Sequence, residues 1–349
     1  MHMADALLSP AVGGTMWAAS AGTIAYCSAK VKRDLDDRKV PLMGVLGAFL
    51  FAAQMINFSI PGTGSSGHLG GGLLLAILLG PHAAFLTIAS VLLVQALFFA
   101  DGGLLALGCN IFNMGFFPAF VVYPLVYRNL MGTRPSRSRE TWVTVFCAMI
   151  GLQLGPLAVV LETVASGIAE LPFETFLLLM LPIHLAIGLV EGVVTSAIVS
   201  FVRKARPELL EPAAAASFAT WSLRRVLVGF LLLAVATGGV VSAFASKDPD
   251  GLEWAIARIT GGSELQPRGP LHQTLARLQG KVVLFPDYDF PKSASKTEPA
   301  APAKVEHSLP VHSGTSLAGM VGSLVVLLLV VLSGLILKKR NLRKVYGIH

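Results

Sequence analysis

Two histidines, His2 and His68, carry the strongest chemical signal in this sequence of 349 residues. When the second residue of a chain is histidine, the terminal amine, the amide nitrogen of residue 2 and the imidazole Nδ1 can close two chelate rings around one metal ion. A fourth nitrogen completes a plane, and planar nitrogen donors suit Ni(II) or Cu(II). The large side chain of His2 is expected to prevent removal of Met1. From position alone, a flanking histidine without a role is the more common explanation.

His68 changes that balance. It lies in the segment Ser59–Gly72, SIPGTGSSGHLGGG, whose small residues leave backbone groups free and let other segments approach closely. A histidine at membrane depth is costly unless it has a partner or a role. The alternative to metal binding is a hydrogen bond from His68 to a neighbouring carbonyl. Considered together, Met1, His2 and His68 favour a metal site.

Other polar residues in apolar segments are weaker candidates. His184 and Glu191 are seven residues apart and share one helix face, where they form either a proton or ion relay or a buried pairing between helices. Asn57 precedes the glycine-rich segment and could brace it. Contacts between helices are expected for three buried amides: Gln95, Asn110 and Asn113. Three histidines in a hydrophilic stretch are either solvated or auxiliary metal ligands: His272, His307 and His312.

The composition identifies an all-α polytopic membrane protein. Only 13% of the residues are charged, whereas soluble domains carry about a quarter. Apolar runs of about 18 residues or more recur, and each can cross a hydrocarbon core of about 30 Å as a helix. An open sheet could not satisfy its backbone in lipid. The cysteines lie in apolar runs and are expected to be buried thiols: Cys27, Cys109 and Cys147.

Nine membrane spans are predicted, seven followed by two. Their approximate bounds are 11–29, 40–58, 69–79, 82–99, 104–127, 141–165, 176–202, 226–245 and 317–337. At about 1.5 Å per residue, the run 69–79 is too short for a full bilayer, so it is expected to start from a recessed position.

Charge gives the orientation of these spans. If Met1 is extracytoplasmic, the four most basic segments all become cytoplasmic: 30–39, 128–140, 203–225 and 338–349. This agrees with the positive-inside rule, and it explains the net charge of +7 without a nucleic-acid partner. The topology places His68 and the hydrophilic loop 246–316 outside with the amino terminus, and the carboxyl terminus in the cytoplasm.

The sequence lacks the motifs of several enzyme classes. It has no G-x-x-x-x-G-K-[ST] phosphate loop, no H-E-x-x-H and no Cys-x-x-Cys. No nucleophile–base constellation favours a hydrolase. We therefore expect a protein that is not an enzyme, and any ATP hydrolysis should take place in separate partners.

Three stretches resemble the CbiM/NikM type of substrate-binding components: MHMADALLSP, SSGHLGGGLLLAILLGPHAAFL and LLVQALFFADGGLLALGCNIFNMG. Those components belong to energy-coupling-factor (ECF) transporters for cobalt and nickel. The resemblance implies metal binding by the terminal amine of Met1, the amide nitrogen and imidazole of His2, and His68. Asp5 is kept, and Asp5, Ser66 and Asn57 are possible supporting residues. MADA replaces the family's usual IPDG, which predicts a less rigid start of the first helix.

The last third resembles the CbiN/NikN type, in SKDPDGLEWAIARI (from Ser246) and FPDYDFP (Phe285–Pro291). Such components have two spans with an outer loop between them, which matches the last two predicted spans. The predicted division is a metal-binding part (1–210), a cytoplasmic linker (211–225) and a CbiN/NikN-like part (226–349). Within the outer loop, residues 292–302 are expected to be a flexible segment.

The implied function is capture of a metal substrate for an ATP-driven importer in the cell membrane, with no resident cofactor. The implied partners are a transmembrane coupling (T) component and cytoplasmic ABC ATPases. Nickel is preferred, because four planar nitrogens with a deprotonated amide favour a low-spin d8 ion, and cobalt is the alternative. An alternative from another class is an ion-coupled secondary transporter that uses His184 and Glu191.

Overall fold

A computed structural model describes residues 2–34, 38–132, 135–210, 221–262, 265, 269–290 and 313–346. Helices dominate these residues, which confirms the predicted fold class. The three cysteines are buried and free, as the sequence predicts. The predicted flexible segment 292–302, His307, His312 and residues 211–220 of the predicted linker lie outside the described residues.

The first part of the chain folds as a bundle of apolar helices around a common core. After a 3₁₀ turn at Asp5–Leu7, its helices are α1 (Pro10–Asp34), α2 (Lys39–Gln54), α3 (Gly72–Leu79), α4 (Pro81–Val94), α5 (Leu107–Ile111), α6 (Arg128–Met131), α7 (Arg137–Ser166) and α8 (Phe173–Ala205). A π-helical segment, Gln95–Phe99, extends α4, and another, Phe112–Tyr127, joins α5 to α6. The second π-helical segment contains Pro118 and Pro124, residues that cannot donate the usual helical hydrogen bond.

A short hairpin interrupts the bundle between α2 and α3. Strand β1 (Phe58–Ile60) pairs antiparallel with β2 (Ser65–Gly67), with Ser59 opposite Ser66. All eight residues of α3 are buried. The short run predicted at 69–79 therefore forms a core helix, which begins five residues after the hairpin ends at Gly67. The hairpin therefore places His68 at the entrance to the bundle.

The second part of the chain packs against the first. Its helices are α9 (Leu223–Gly239), α10 (Gly251–Thr260), α11 (Pro270–Val282) and α12 (Ser313–Tyr346), with 3₁₀ turns at Val241–Phe244 and Pro286–Tyr288. Helices α9 and α12 both pack on α2. The Asp250 side chain accepts hydrogen bonds from the Leu252 and Glu253 amides, and the Glu253 side chain accepts one from the Asp250 amide. This capping box defines the start of α10.

Six helical stretches among the described residues are long and apolar enough to cross a membrane: Pro81–Phe99, Leu107–Met131, Arg137–Ser166, Phe173–Ala205, Leu223–Phe244 and Gly314–Lys338. These correspond to six of the predicted spans, and the chain is a multi-pass membrane protein. Helix α2 is apolar but has only 16 residues. Helices α1 and α3 are not among the six stretches that are long and apolar enough to cross a membrane. The count of seven spans followed by two therefore stays a prediction.

Candidate metal site at the bundle entrance

The backbone of Met3 anchors the amino-terminal segment. Its amide donates to Asn110 Oδ1 (2.8 Å), and its carbonyl accepts from Asn110 Nδ2 (3.2 Å) and from the Gly103 amide (2.9 Å). Both Met3 and Asn110 are buried. Because three hydrogen bonds fix residue 3, the backbone leaves little freedom for His2 beside it.

Asp5 ties the same segment to the start of α5. Its Oδ1 accepts from the Ala106 amide (2.9 Å), and its side chain is buried. The turn before α5 requires glycine at position 102. Gly102 has φ +84°, and a Cβ there would lie 3.3 Å from the His2 Cβ. Asp5, predicted as a supporting residue, thus acts on the turn that faces His2.

The His2 side chain is enclosed, with 5% of its surface exposed. Its Nδ1 lies 3.0 Å from Asp101 Oδ1, and its ring stacks on that of His68 with centroids 5.3 Å apart and planes inclined by 10°. His2 Nε2 is buried and has no hydrogen-bond partner within the described residues. The two predicted ligand side chains therefore meet, although 66 positions separate them in the sequence. Coordination through Nδ1 requires the His2 imidazole to turn away from Asp101.

The His68 imidazole has a defined tautomer. Its Nδ1 contacts the Leu69 carbonyl oxygen at 3.2 Å, and a carbonyl can only accept, so Nδ1 donates and Nε2 keeps its lone pair. Burial, together with the charge of His2, lowers the pKa of His68 to about 3. His68 is therefore neutral near pH 7, which is the form that binds metal.

Two helices fix the segment that follows His68. Glu191 on α8 accepts from the Gly70 amide through Oε2 (2.7 Å) and from the Gly71 amide through Oε1 (3.1 Å). Gln54 on α2 donates to the Gly70 carbonyl (3.0 Å). Gly71 has φ +73°, and a Cβ there would lie 2.0 Å from Leu50 Cδ1, so no other residue fits this turn without rearrangement.

His184 and Glu191 have separate partners in the described structure. His184 Nδ1 donates to the Met180 carbonyl (2.8 Å), whereas Glu191 binds the glycine amides. His184 does share a small cavity with His68 and Asp250. The arrangement brings His184 close to the entrance but does not join it to Glu191 by a hydrogen bond.

The second part of the chain forms the outer wall of the site. The Ser66 amide donates to the Pro249 carbonyl (2.8 Å), and the Ser66 hydroxyl donates to the Asp248 carbonyl (2.7 Å). The Asn57 carbonyl accepts from the Ser246 amide (2.7 Å). Asn57 and Ser66, predicted as supporting residues, thus connect the hairpin to this wall. Burial acts to raise the pKa of Asp250, but nearby positive charge and the hydrogen bond from the Glu253 amide hold it below its usual range.

A second contact from the same wall reaches the partner of His2. The Tyr288 hydroxyl donates to Asp101 Oδ2, and its ring stacks on Phe99 with centroids 5.0 Å apart. Burial acts to raise the pKa of Asp101, but the charge and hydrogen bond of His2 and the bond from Tyr288 lower it to about 2. His272, left open by the sequence, contacts the Leu8 carbonyl at 2.8 Å.

Comparisons with known proteins agree with this architecture. Residues 2–209 match the CbiM family model, described as the cobalt uptake substrate-specific transmembrane region. The chain belongs to the CbiM family. Residues 224–339 match the PDGLE domain, so the predicted fusion of a CbiM/NikM-type part with a CbiN-like part is confirmed.

Relatives of this CbiM-family chain are named as metal transport proteins. It is 33% identical to the putative fused nickel transport protein NikMN of Archaeoglobus fulgidus, covering 94% of this chain and 96% of that protein. It is 31% identical to the cobalt transport protein CbiM of Sorangium cellulosum, covering 60% and 95%. A crystal structure of a transition metal transporter aligns with a TM-score of 0.54 at 30% identity, covering 62% and 99%. The chain is therefore a cobalt or nickel transport component of the CbiM/NikM type.

Three residues of the site were not singled out as site residues from the sequence: Asp101, Asn110 and Tyr288. Asn110 was predicted only as an amide between helices, and Asp101 was given no role. Both lie in the stretch FADGGLLALGCN, and Tyr288 lies in FPDYDFP. Among the described residues no group of three His, Cys, Asp or Glu side chains could hold a metal. That finding does not address the predicted chelate, in which two donors are main-chain nitrogens and Met1 lies outside the described residues.

Proposed function

We propose that this chain captures nickel for an ATP-driven ECF importer, with cobalt as the alternative substrate. The proposed donors are the amine of Met1, the amide nitrogen and Nδ1 of His2, and Nε2 of His68. The observation that supports this most directly is the near-parallel contact of His2 and His68 at 5.3 Å. A lone pair on His68 Nε2 and a fixed backbone at Met3 add to it.

Nickel is preferred over cobalt on the chemistry of the donors. Four nitrogens in a plane suit a low-spin d8 ion, and the similar fused chain of Archaeoglobus fulgidus is named as a nickel transport protein. The site is proposed to face the extracytoplasmic side, with a T component and ABC ATPases supplying the energy. Three features that the predicted topology groups on that side lie together in the structure: His2, His68 and the described part of the loop 246–316.

The secondary transporter is the less favoured alternative. A relay requires His184 and Glu191 to exchange protons or ions, and here each is bonded to main-chain groups instead. The two hypotheses differ in a direct measurement. Metal uptake into cells should require the ATPase partners on our proposal, whereas an ion-coupled transporter works without them.

The deciding experiment changes the spacing of the chelate and leaves every side chain intact. Three glutamines are inserted between Met1 and His2, since a large residue after Met1 keeps it in place and a single inserted residue would create a new terminal chelate. Three glutamines inserted between Ala213 and Ala214 in the predicted linker are the control. We expect the first insertion to weaken nickel binding on the order of 100-fold or more, because linked donors bind far more tightly than separate ones. The purified chain is titrated with Ni(II) and Co(II) by calorimetry. Unchanged affinity and stoichiometry would overturn the chelate, and tighter Co(II) binding would reverse the choice of metal.

A further inference from the structure

Glu191 is a buried carboxylate whose two oxygens bind neighbouring amides of one loop. Its side chain is 3% exposed, and it accepts from Gly70 and Gly71 at 2.7 and 3.1 Å. A carboxylate in apolar surroundings is costly unless such hydrogen bonds compensate for lost water. The loop is thereby fixed to α8, which lies 120 residues further along the chain.

The bond to Gly70 has a consequence for His68. The Gly70 amide N–H and the Leu69 carbonyl belong to one planar peptide group. Glu191 binds the N–H of that group at 2.7 Å, and His68 Nδ1 donates to its carbonyl at 3.2 Å. One peptide therefore connects the carboxylate to the imidazole, and each hydrogen bond polarises the group so that the other becomes stronger.

Gln54 secures the next peptide from the opposite side. It donates to the Gly70 carbonyl at 3.0 Å, and it in turn accepts from Gln95 at 2.9 Å. The Leu69–Gly70–Gly71 backbone is thus held between α8 and α2. It cannot rotate without breaking at least one buried hydrogen bond.

We infer that Glu191 is a positioning residue for the metal site: through the Leu69–Gly70 peptide it fixes the orientation and tautomer of His68 so that Nε2 faces the metal. Metal-binding histidines usually donate their other ring N–H to a carbonyl or carboxylate, and such partners tune the affinity. This inference rests on the proposed function, since it takes His68 as a ligand. It gives Glu191 a role in binding that requires no ion relay.

The test compares Glu191→Gln with Glu162→Gln. Glutamine keeps the size but turns an N–H₂ group toward one of the two glycine amides, so one hydrogen bond is lost. Glu162 is the matched control, because it is a buried carboxylate on α7 that accepts from Asn113 (2.8 Å) instead of from the glycine loop. We expect Glu191→Gln to weaken nickel binding about 10- to 100-fold, and Glu162→Gln to leave it unchanged.

The same substitution in a His68→Ala background separates positioning from a general structural effect. If Glu191 acts through His68, Glu191→Gln should have almost no further effect once the imidazole is gone. The visible absorption band of bound Ni(II) in Glu191→Gln should also shift toward that of His68→Ala. Glu191→Asp keeps the charge with a shorter reach, so it should give an intermediate loss, and it replaces Glu191→Gln if that variant does not fold.

Three outcomes would overturn the inference. Equal losses in the two backgrounds assign Glu191 a structural role only. Wild-type affinity in Glu191→Gln means that the carboxylate does not position His68. Wild-type affinity in His68→Ala removes His68 from the ligand set and refutes the proposed function together with this inference, whereas the first two outcomes leave the proposed function intact.

Discussion

The amino-terminal segment (residues 2–8) and the glycine loop (residues 57–72) each carry one proposed ligand, and they are held in different ways. The first is fixed mainly by groups from its own part of the chain: Asn110 binds Met3, and Asp5 binds Ala106. The second is held between α2 and α8 on one side and by residues 246–254 on the other.

This difference assigns different roles to the two parts of the chain. Groups of the CbiM-type part fix the backbone next to His2 at Met3, whereas the position of His68 also depends on the CbiN-like part. The CbiN-like part contacts the far end of the amino-terminal segment, where His272 meets the Leu8 carbonyl, and it reaches His2 indirectly through the bond from Tyr288 to Asp101. Substitutions in the two parts should therefore affect the two ligands unequally.

The largest effect is expected from Asn110→Leu, which removes the anchor of the amino-terminal segment. The change leaves the Met3 amide without its buried partner and weakens the hold on its carbonyl, at a cost of about 1–3 kcal/mol per unsatisfied group. Nickel affinity should fall together with thermal stability, measured by calorimetry and by melting in detergent.

Asn113→Leu is the matched control for that experiment. Asn113 is also a buried amide, but it donates to Glu162 at 2.8 Å, away from Met3. Its loss should lower the melting temperature and leave nickel affinity intact. If both variants lose the same affinity, the anchor at Met3 has no special role in binding.

The sequence was sufficient for what depends on residue type and local pattern. The apolar runs predict six helices that reappear as candidate spans, and the histidines at positions 2 and 68 meet as expected. The capping box of Asp250 and Glu253 also follows from local spacing, but the helix that it begins, α10, was not predicted within the loop 246–316.

The remaining contacts join groups that are far apart in the sequence. Glu191 was paired with His184 because a helix places residues seven apart on one face, but its partners are main-chain amides 120 and 121 residues away. Main-chain donors carry no side-chain signal, so periodicity could not identify them. Tyr288 and Asp101, 187 positions apart, illustrate the same limit for side chains.

A smaller effect, confined to the glycine loop, is expected from Trp254→Ala. The Trp254 indole donates to the Thr63 carbonyl (3.0 Å) and packs on the cluster of Ile60, Leu152 and Ile187. Since the ring is only partly buried, its loss should cost about 2 kcal/mol, roughly half the cost for a fully buried aromatic. Nickel affinity should fall a few-fold through His68.

Hydrogen exchange shows whether that effect is local. Amides of residues 57–71 should exchange faster in Trp254→Ala, and those of residues 3–8 should not change. Trp142→Ala, at a ring that is 69% exposed, is the control and should alter neither. Faster exchange in residues 3–8 as well as in residues 57–71 would mean that the CbiN-like part supports both proposed ligands equally. That result would contradict the proposed difference between the two segments.

The smallest effect is expected from Tyr288→Phe, which tests the indirect connection to His2. The variant loses only the hydrogen bond to Asp101 and keeps the ring stacked on Phe99, so the cost should be about 1 kcal/mol. Asp101 then keeps its contact with His2 but loses the donor that fixes its other oxygen, and amides near His2 should exchange slightly faster than in wild type. Tyr26→Phe, at an exposed ring on α1, is the control. An effect of Tyr288→Phe on residues 57–71 as large as on residues 3–8 would contradict a separate connection, because the hydroxyl contacts the carboxylate beside His2 and the glycine loop is held by other groups.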